Sequence, residues 1–195
     1  MPTGAVDKKI CWVVTGAGHF LREAVELLPP EPHVDVYLTR AALEVVSRYH
    51  VLERIECTGR KVFREADHSS GAIILFSMGR YDALVIAPAT SNTVAKCALG
   101  IADSLASTFF AQAGKSGIPT IVLPTDVDAE VVSVTPSGKS IRITPRPIDL
   151  QHSNALSSFP HVSVAKSIEE LGALLAPFTG GTDRWNNFSP SSPAS

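Results

Sequence analysis

The sequence predicts an α/β protein with a parallel, doubly wound sheet and one inserted antiparallel β-hairpin. Short apolar runs alternate with segments of helical spacing, and short connections join them, which favours right-handed crossovers. The run Ala83–Ala87 (ALVIA) is apolar throughout, as a central parallel strand covered on both faces requires. After Pro124 the pattern changes to apolar–polar alternation around a turn, the mark of a hairpin.

Lys9–Thr15 (KICWVVT) reads as the first strand and ends at the turn Gly16-Ala17-Gly18. Phe20, Leu21, Ala24, Val25 and Leu28 recur at helical spacing over His19–Leu28, and Pro29, Pro30 and Pro32 end that helix. Val34–Thr39 is the second strand and Arg40–Tyr49 the second helix. Ser69 or Ser70 caps a third helix that runs through Met78 and stops at Gly79. After the strand at 83–87 comes an alanine-rich helix, read as continuous to Leu105, and then the strand Thr120–Leu123. Val132–Val134 and Ile141–Ile143 flank TPSGKS as the hairpin, and Val162–Val164 is again strand. Ser167-Ile168-Glu169-Glu170 is a capping box opening a last helix to Ala176. The expected organisation is a flexible N-terminus over 1–8, one domain over 9–178 with its hairpin at about 131–144, and a disordered tail over 179–195. Trp185 and Phe188 lie in that tail.

With 195 residues and 45% hydrophobic content, the chain suits one globular domain with a sizeable core. Lys plus Arg number 17 and Asp plus Glu 19, a balance that gives no support for nucleic acid or an anionic membrane as partner. No apolar run approaches the ~20 residues needed to cross a bilayer, and MPTGAVDKK lacks a signal-peptide pattern. Cys11, Cys57 and Cys97 form neither a CxxC pair nor a disulfide framework, so a reducing cytoplasm is expected. His33, His50, His68, His152 and His161 show no metal-ligand spacing, and no nucleophile motif is present.

Ligands of open α/β sheets bind beyond the carboxyl ends of the strands. Small residues stand at three such ends here. Gly16, Ala17 and Gly18 let backbone N–H groups approach an anion, although such a turn also serves as a plain tight turn. Leu21 occupies the third glycine position of a dinucleotide fingerprint, which argues against a tight NAD site. Thr39 offers a hydroxyl at the same edge or a helix cap. Pro88, Ala89, Thr90, Ser91, Asn92 and Thr93 follow the third strand, and one cap residue suffices where several stand in a row. His19 is placed beside a ligand or on the surface. Lys96 and Asp103, seven apart on the predicted helix, read as a structural ion pair.

PATSNT with AKCALGIADSL resembles the PASANT motif of the homo-oligomeric flavin-containing cysteine decarboxylase superfamily. TGAG and Thr39 are similar to that family's other FMN-binding segments. The stretches WVVTGAGHFLRE, YDALVIAPATSNTVAKCALGIADSL, AQAGKSGIPTIVLPTD and TPSGKSIRITPRPIDL most resemble its archaeoflavoprotein and dihydromethanopterin-reductase branch, over about residues 9–176. The resemblance implies a Rossmann-like, flavodoxin-type three-layer fold. It implies FMN with its phosphate at Gly16, Ala17, Gly18 and Thr39, and its isoalloxazine and ribityl end at Pro88–Thr93. It also implies a homo-oligomer, usually a trimer, with the flavin at a subunit boundary.

The departures narrow the chemistry. Where the decarboxylases carry a catalytic His, this chain has Ile73-Ile74-Leu75-Phe76, and Pro124-Thr125-Asp126 stands in place of their substrate-binding PAMN segment. The proline-cysteine-serine motif of the prenyl-transferring flavoproteins is replaced by Pro88-Ala89-Thr90. With no acid/base dyad, the chain is expected to position a flavin and a second planar substrate; the resemblance implies FMN-dependent reduction of dihydromethanopterin, or a related dihydropterin, to the tetrahydro form in one-carbon metabolism. NAD(P)H or reduced ferredoxin is the expected electron donor, and no catalytic residue or metal is assigned. Residues Asp126–Arg146 are expected to rim the substrate. The alternatives are a ferredoxin-dependent electron-transfer flavoprotein without its own substrate, and a non-catalytic flavin-binding assembly.

Overall fold

The computed structural model describes residues 9–29, 33–56, 60–68 and 71–179. The strands of the main sheet are β1 (Lys9–Val14), β2 (Val34–Leu38), β3 (Lys61–Arg64), β4 (Tyr81–Ala89), β5 (Thr120–Pro124) and β8 (Val162–Val164), in the order β3-β2-β1-β4-β5-β8. All its pairings are parallel. The hairpin β6 (Val131–Val134) and β7 (Ser140–Ile143) forms a separate two-stranded antiparallel sheet.

Strand periodicity distributes the core over both sheet faces. From β1, Ile10, Trp12 and Val14 enter one apolar cluster, while Cys11 and Val13 enter the other. The first cluster is roofed by α1 (Leu21–Glu26), α2 (Arg40–Arg48), α3 (Leu52–Glu56) and α9 (Ile168–Leu175). The second is covered by α5 (Gly71–Ser77), α6 (Ser91–Ala98), α7 (Leu105–Lys115) and α8 (Pro147–Leu156). The result is a three-layer sandwich in which β1, β2 and β5 are buried at every position, hence their mostly apolar sequences. Trp12 is wholly buried, and its indole N–H is satisfied by the Ala87 carbonyl at 2.9 Å.

One polar cluster crosses this core. Lys9 pairs with Asp35 at 2.9 Å, the Tyr81 hydroxyl donates to the other Asp35 oxygen at 3.1 Å, and Tyr37 and Tyr81 share a hydroxyl contact of 2.9 Å. Lys9, Asp35 and Tyr81 lie toward the amino ends of their strands, opposite the strand ends that carry the small polar residues. Burial pushes the Tyr37 and Tyr81 hydroxyls well above the ordinary phenol range, so both remain protonated donors.

The continuous helix expected through Leu105 is corrected. It ends at Ala98 as α6 and is closed at Gly100 (φ 72°), while a further helix, α7, starts only at Leu105 and runs to Lys115, beyond the expected span. Ile101 N–H donates to the Lys96 carbonyl and Gly100 N–H to that of Cys97, a Schellman ending. Ser104 then caps α7 through a reciprocal pairing with Ser107. Lys96 and Asp103 therefore share no helix, yet the returning loop brings them to 2.7 Å. The structure adds β3, α3, α8 and α4 (Glu65–His68), none of which the sequence reading assigned. Cys11 and Cys97 are buried free thiols. The expectations for Pro30, Pro32, Cys57, the Ser69 or Ser70 cap, the termini, Trp185 and Phe188 fall outside the described residues. Among the described residues, no helix is long and apolar enough to cross a membrane.

Candidate functional site

Thr15, the residue after β1, organises the carboxyl edge of the sheet. Its buried hydroxyl donates to the Pro88 carbonyl at 2.7 Å and accepts the Thr90 backbone N–H at 3.0 Å. The end of β1 and the start of α6 are thereby locked together. Thr90 is the N-cap of α6, its hydroxyl accepting from Thr93 N–H at 3.3 Å, and Thr39 caps α2 by accepting from Ala42 N–H at 3.2 Å. Caps thus account for Thr39 and Thr90. Ser91 instead donates to Asp126, and the exposed Asn92 side chain has no hydrogen-bond partner among the described residues.

Two cavities open at this edge and share Thr90. The first, about 520 Å³, is walled by Thr15, Gly16, Thr39, Thr90, Asn92 and Thr93. Arg40, Glu44, Glu65 and Ser104 close its far side. Among the described residues, nothing accepts the backbone N–H groups of Gly16 or Gly18, which leaves two donors at the turn. The first turn of α6 adds the orphan N–H groups that a helix start leaves. Glu65 is already occupied: one carboxylate oxygen accepts from Arg40 N–H at 2.7 Å and the other from Leu105 N–H at 2.9 Å. One carboxylate therefore caps α2 and α7 together.

The second cavity, about 320 Å³, runs from Ala17, Gly18 and His19 to Ser91, Thr125 and Asp126. Tyr49 and the hairpin residues Val131, Ser133, Ile141 and Ile143 form its opposite wall. The register pairs Val131 with Ile143 and Ser133 with Ile141, which sets these four side chains on one face of the hairpin. Tyr49 ties that wall to the body by donating its hydroxyl to the Val134 carbonyl at 2.9 Å. A methyl group at Gly18 would collide with the Tyr49 hydroxyl, and one at Gly16 would sit 2.5 Å from Ala41 Cβ. Gly16 is thus required by packing against the α2 backbone at Ala41, apart from any ligand, whereas a larger residue at Gly18 would force the Tyr49 side chain to move.

His19 is half-buried and its ring centroid lies 3.8 Å from that of Phe20. Burial lowers its pKa from the ordinary histidine value, against the opposing fields of Glu23 and Asp126, so the ring is neutral at neutral pH. It is a polar wall rather than a cation.

The structure brings Gly16, Thr39, Thr90, Asn92 and Thr93 to the first cavity and Ala17, Gly18, His19, Thr90 and Ser91 to the second. Pro88 and Ala89 line neither; both belong to β4, Ala89 is fully buried, and the Pro88 carbonyl is taken by Thr15. Sequence reasoning included Thr15 in the TGAG turn but gave its side chain no role, and it missed Tyr49 and Glu65 as parts of the site. Tyr49 and Glu65 carry no local mark, since only the fold brings them to this edge. Among the described residues, no His, Cys, Asp and Glu cluster is arranged to hold a metal ion.

A model of the family described as Flavoprotein matches residues 2–186. The chain is 39% identical over 142 residues to a dihydromethanopterin reductase (acceptor) of Methanosarcina mazei, covering 66% of this chain and 59% of that protein. It is 36% identical over 141 residues to the protein of the same name from Methanocaldococcus jannaschii, covering 66% and 57%. The chain therefore spans under two thirds of the length of these curated relatives. Among solved structures, it is similar to Burkholderia xenovorans DmrB in complex with FMN, described as a cubic protein cage for redox transfer. That match has a TM-score of 0.76 and 40% identity, and covers 88% of this chain and 94% of that one.

Proposed function

This chain belongs to the Flavoprotein family, and from that premise we propose that it is an FMN-dependent oxidoreductase reducing dihydromethanopterin, or a related dihydropterin, to the tetrahydro form. The observation that carries the reading is the pair of adjoining cavities meeting at Thr90, one rich in polar donors and one walled by the hairpin. Two relatives at 36% and 39% identity bear the name dihydromethanopterin reductase, and a similar structure contains FMN.

The residues suit the cofactor. The free N–H groups of Gly16 and Gly18 and the Thr39 hydroxyl would hold its phosphate, and the small polar row Thr90–Thr93 would meet the flavin body. Once bound, FMN supplies hydride chemistry toward the dihydropterin carbon–nitrogen double bond. The protein's part is orientation and exclusion of water. Thr15 holds the α6 start in register with the glycine turn, and Ile141 and Ile143 form an apolar wall over the second cavity. His19, being neutral, adds no positive charge beside the substrate.

The second cavity favours a small-molecule substrate over a pure electron carrier, which needs no such pocket. The electron donor is NAD(P)H or reduced ferredoxin. The working assembly is a homo-oligomer built from trimers with the flavin at a subunit boundary, located in the cytoplasm and serving one-carbon metabolism. Leu99 (63% exposed) and Ile101 (44% exposed) support the assembly as exposed apolar side chains at the end of α6, and Ile101 lines an apolar groove with Phe110, Phe159 and Pro160.

The test is anaerobic reduction of the FMN-loaded protein followed by rapid mixing with dihydromethanopterin. Flavin reoxidation well above the buffer rate is expected; reoxidation at the buffer rate overturns the reading.

A further inference from the structure

Asp126 is a carboxylate held in place by hydroxyls, within the field of Arg146 but without a direct ion-pair partner among the described residues. Ser91 and Thr125 donate their hydroxyls to Oδ2, the latter at 3.3 Å, and Ser153 of α8 donates to the Asp126 carbonyl at 2.8 Å. Three hydroxyls from different elements thus fix one loop residue. Among the described residues, Oδ1 has no hydrogen-bond partner and no cation lies within ion-pair distance of the carboxylate. Arg146, the nearby base, is engaged on both Asp149 oxygens at 2.8 and 2.7 Å. Asp126 lines the second cavity opposite the hairpin wall.

A carboxylate accepts hydrogen bonds only, and it binds most strongly to two parallel N–H donors. Resting on the dihydropterin reading above, we infer that Asp126 is the substrate-recognising carboxylate, taking the N3–H and 2-amino pair of a 2-amino-4-oxopyrimidine ring. The flavin's own pyrimidine edge presents acceptor, donor, acceptor, and its two carbonyl oxygens repel a carboxylate. The pterin edge presents adjacent donors. Asp126 therefore selects the substrate ring and rejects a misplaced flavin edge. Oδ1 has its lone pairs free for one N–H, and the long Thr125 bond to Oδ2 is the one that the second N–H replaces.

The probes are 7,8-dihydropterin and 7,8-dihydrolumazine, the latter carrying a 2-oxo group in place of the 2-amino group. Anaerobic equilibrium dialysis against the oxidised, FMN-loaded protein measures both affinities. Wild type should bind dihydropterin about 10- to 100-fold more tightly than dihydrolumazine, as expected for hydrogen bonds to a charged group. Asp126→Asn should bring that ratio near one by weakening dihydropterin alone, with FMN content and Tm kept. Asp126→Glu, which retains the charge, should keep a reduced preference. A loop-anchoring role alone would leave the ratio unmoved. A ratio near one in wild type, or one unchanged in Asp126→Asn, overturns the inference. If reduced wild-type flavin is still reoxidised by dihydropterin in that case, the reductase reading stands and only the role of Asp126 falls. If wild type neither binds dihydropterin nor is reoxidised by it, both fall. Should Asp126→Asn fail to fold, the ratios in wild type and Asp126→Glu decide.

Discussion

The Thr15 hydroxyl and the Thr90 backbone N–H lie 3.0 Å apart, joining two segments separated by 75 residues in sequence. The same hydroxyl donates to Pro88, so one small side chain satisfies a donor and an acceptor under the site.

Thr15→Val keeps the shape and removes both bonds. It should cost about 1–3 kcal/mol of stability, the penalty for leaving buried polar groups unpaired, read as a lower urea midpoint. FMN retention through gel filtration should fall with it, because the start of α6 loses its register. Full retention at wild-type stability would separate Thr15 from the site.

Glu65 should show opposite effects on folding and on binding. Its carboxylate caps α2 and α7, so Glu65→Ala should destabilise the fold by about 1–2 kcal/mol while removing a negative charge from the wall of the first cavity. The FMN dissociation constant, measured by flavin fluorescence, should therefore decrease even as Tm falls. A loss of both affinity and Tm would mean that Glu65 serves binding through the fold alone.

His19 predicts a direction of pH dependence. Its folded-state pKa lies below the ordinary value because burial disfavours the cation. Between that lowered value and about 6.5 the unfolded chain binds the extra proton, so stability rises with pH across this window. Acidification below about 6.5 removes the contribution. Urea midpoints at a series of pH values should fall less steeply toward acid in His19→Gln than in wild type. Parallel curves would rule out this histidine as the source.

Leu99→Glu combined with Ile101→Asp should reduce the assembly to smaller species in light scattering, with weaker FMN retention if the flavin sits at a subunit boundary. An unchanged mass would move the interface away from the end of α6.

Much of this architecture is legible in the chain because its central strands are buried on both faces, as in ALVIA. The boundary between α6 and α7 was equally present, in Gly100 and the Ser104 cap, but the apolar spacing of ALGIADSL continues a helical pattern across it. Strand β3 is four residues long and nowhere fully buried, so it carries neither alternation nor an apolar run. Helix α8 buries Asp149, Ser153 and Leu156, a mostly polar set that erases the usual apolar stripe. The first cavity was foreshadowed because its hydroxyls follow strands directly. The second draws on Asp126 and Ile141, both within the 126–146 segment expected to rim the substrate, and on Tyr49, whose meeting with them depends on tertiary packing that no local spacing encodes.

The hairpin stands apart from the six-stranded sheet, and every residue of β7 is exposed. An isolated two-stranded ribbon is marginal in water, so its persistence here leans on anchors such as the Tyr49 bond to Val134. Amide exchange over β6 and β7 is therefore expected to run ahead of exchange in β1 and β4, as a separate unit of low opening free energy. Under the proposed function, a planar substrate would need a wall that yields to an entering ring and a floor that does not. This chain divides the second cavity's wall and its floor between two sheets, so a change at Tyr49 would loosen the hairpin without loosening the strands of the six-stranded sheet.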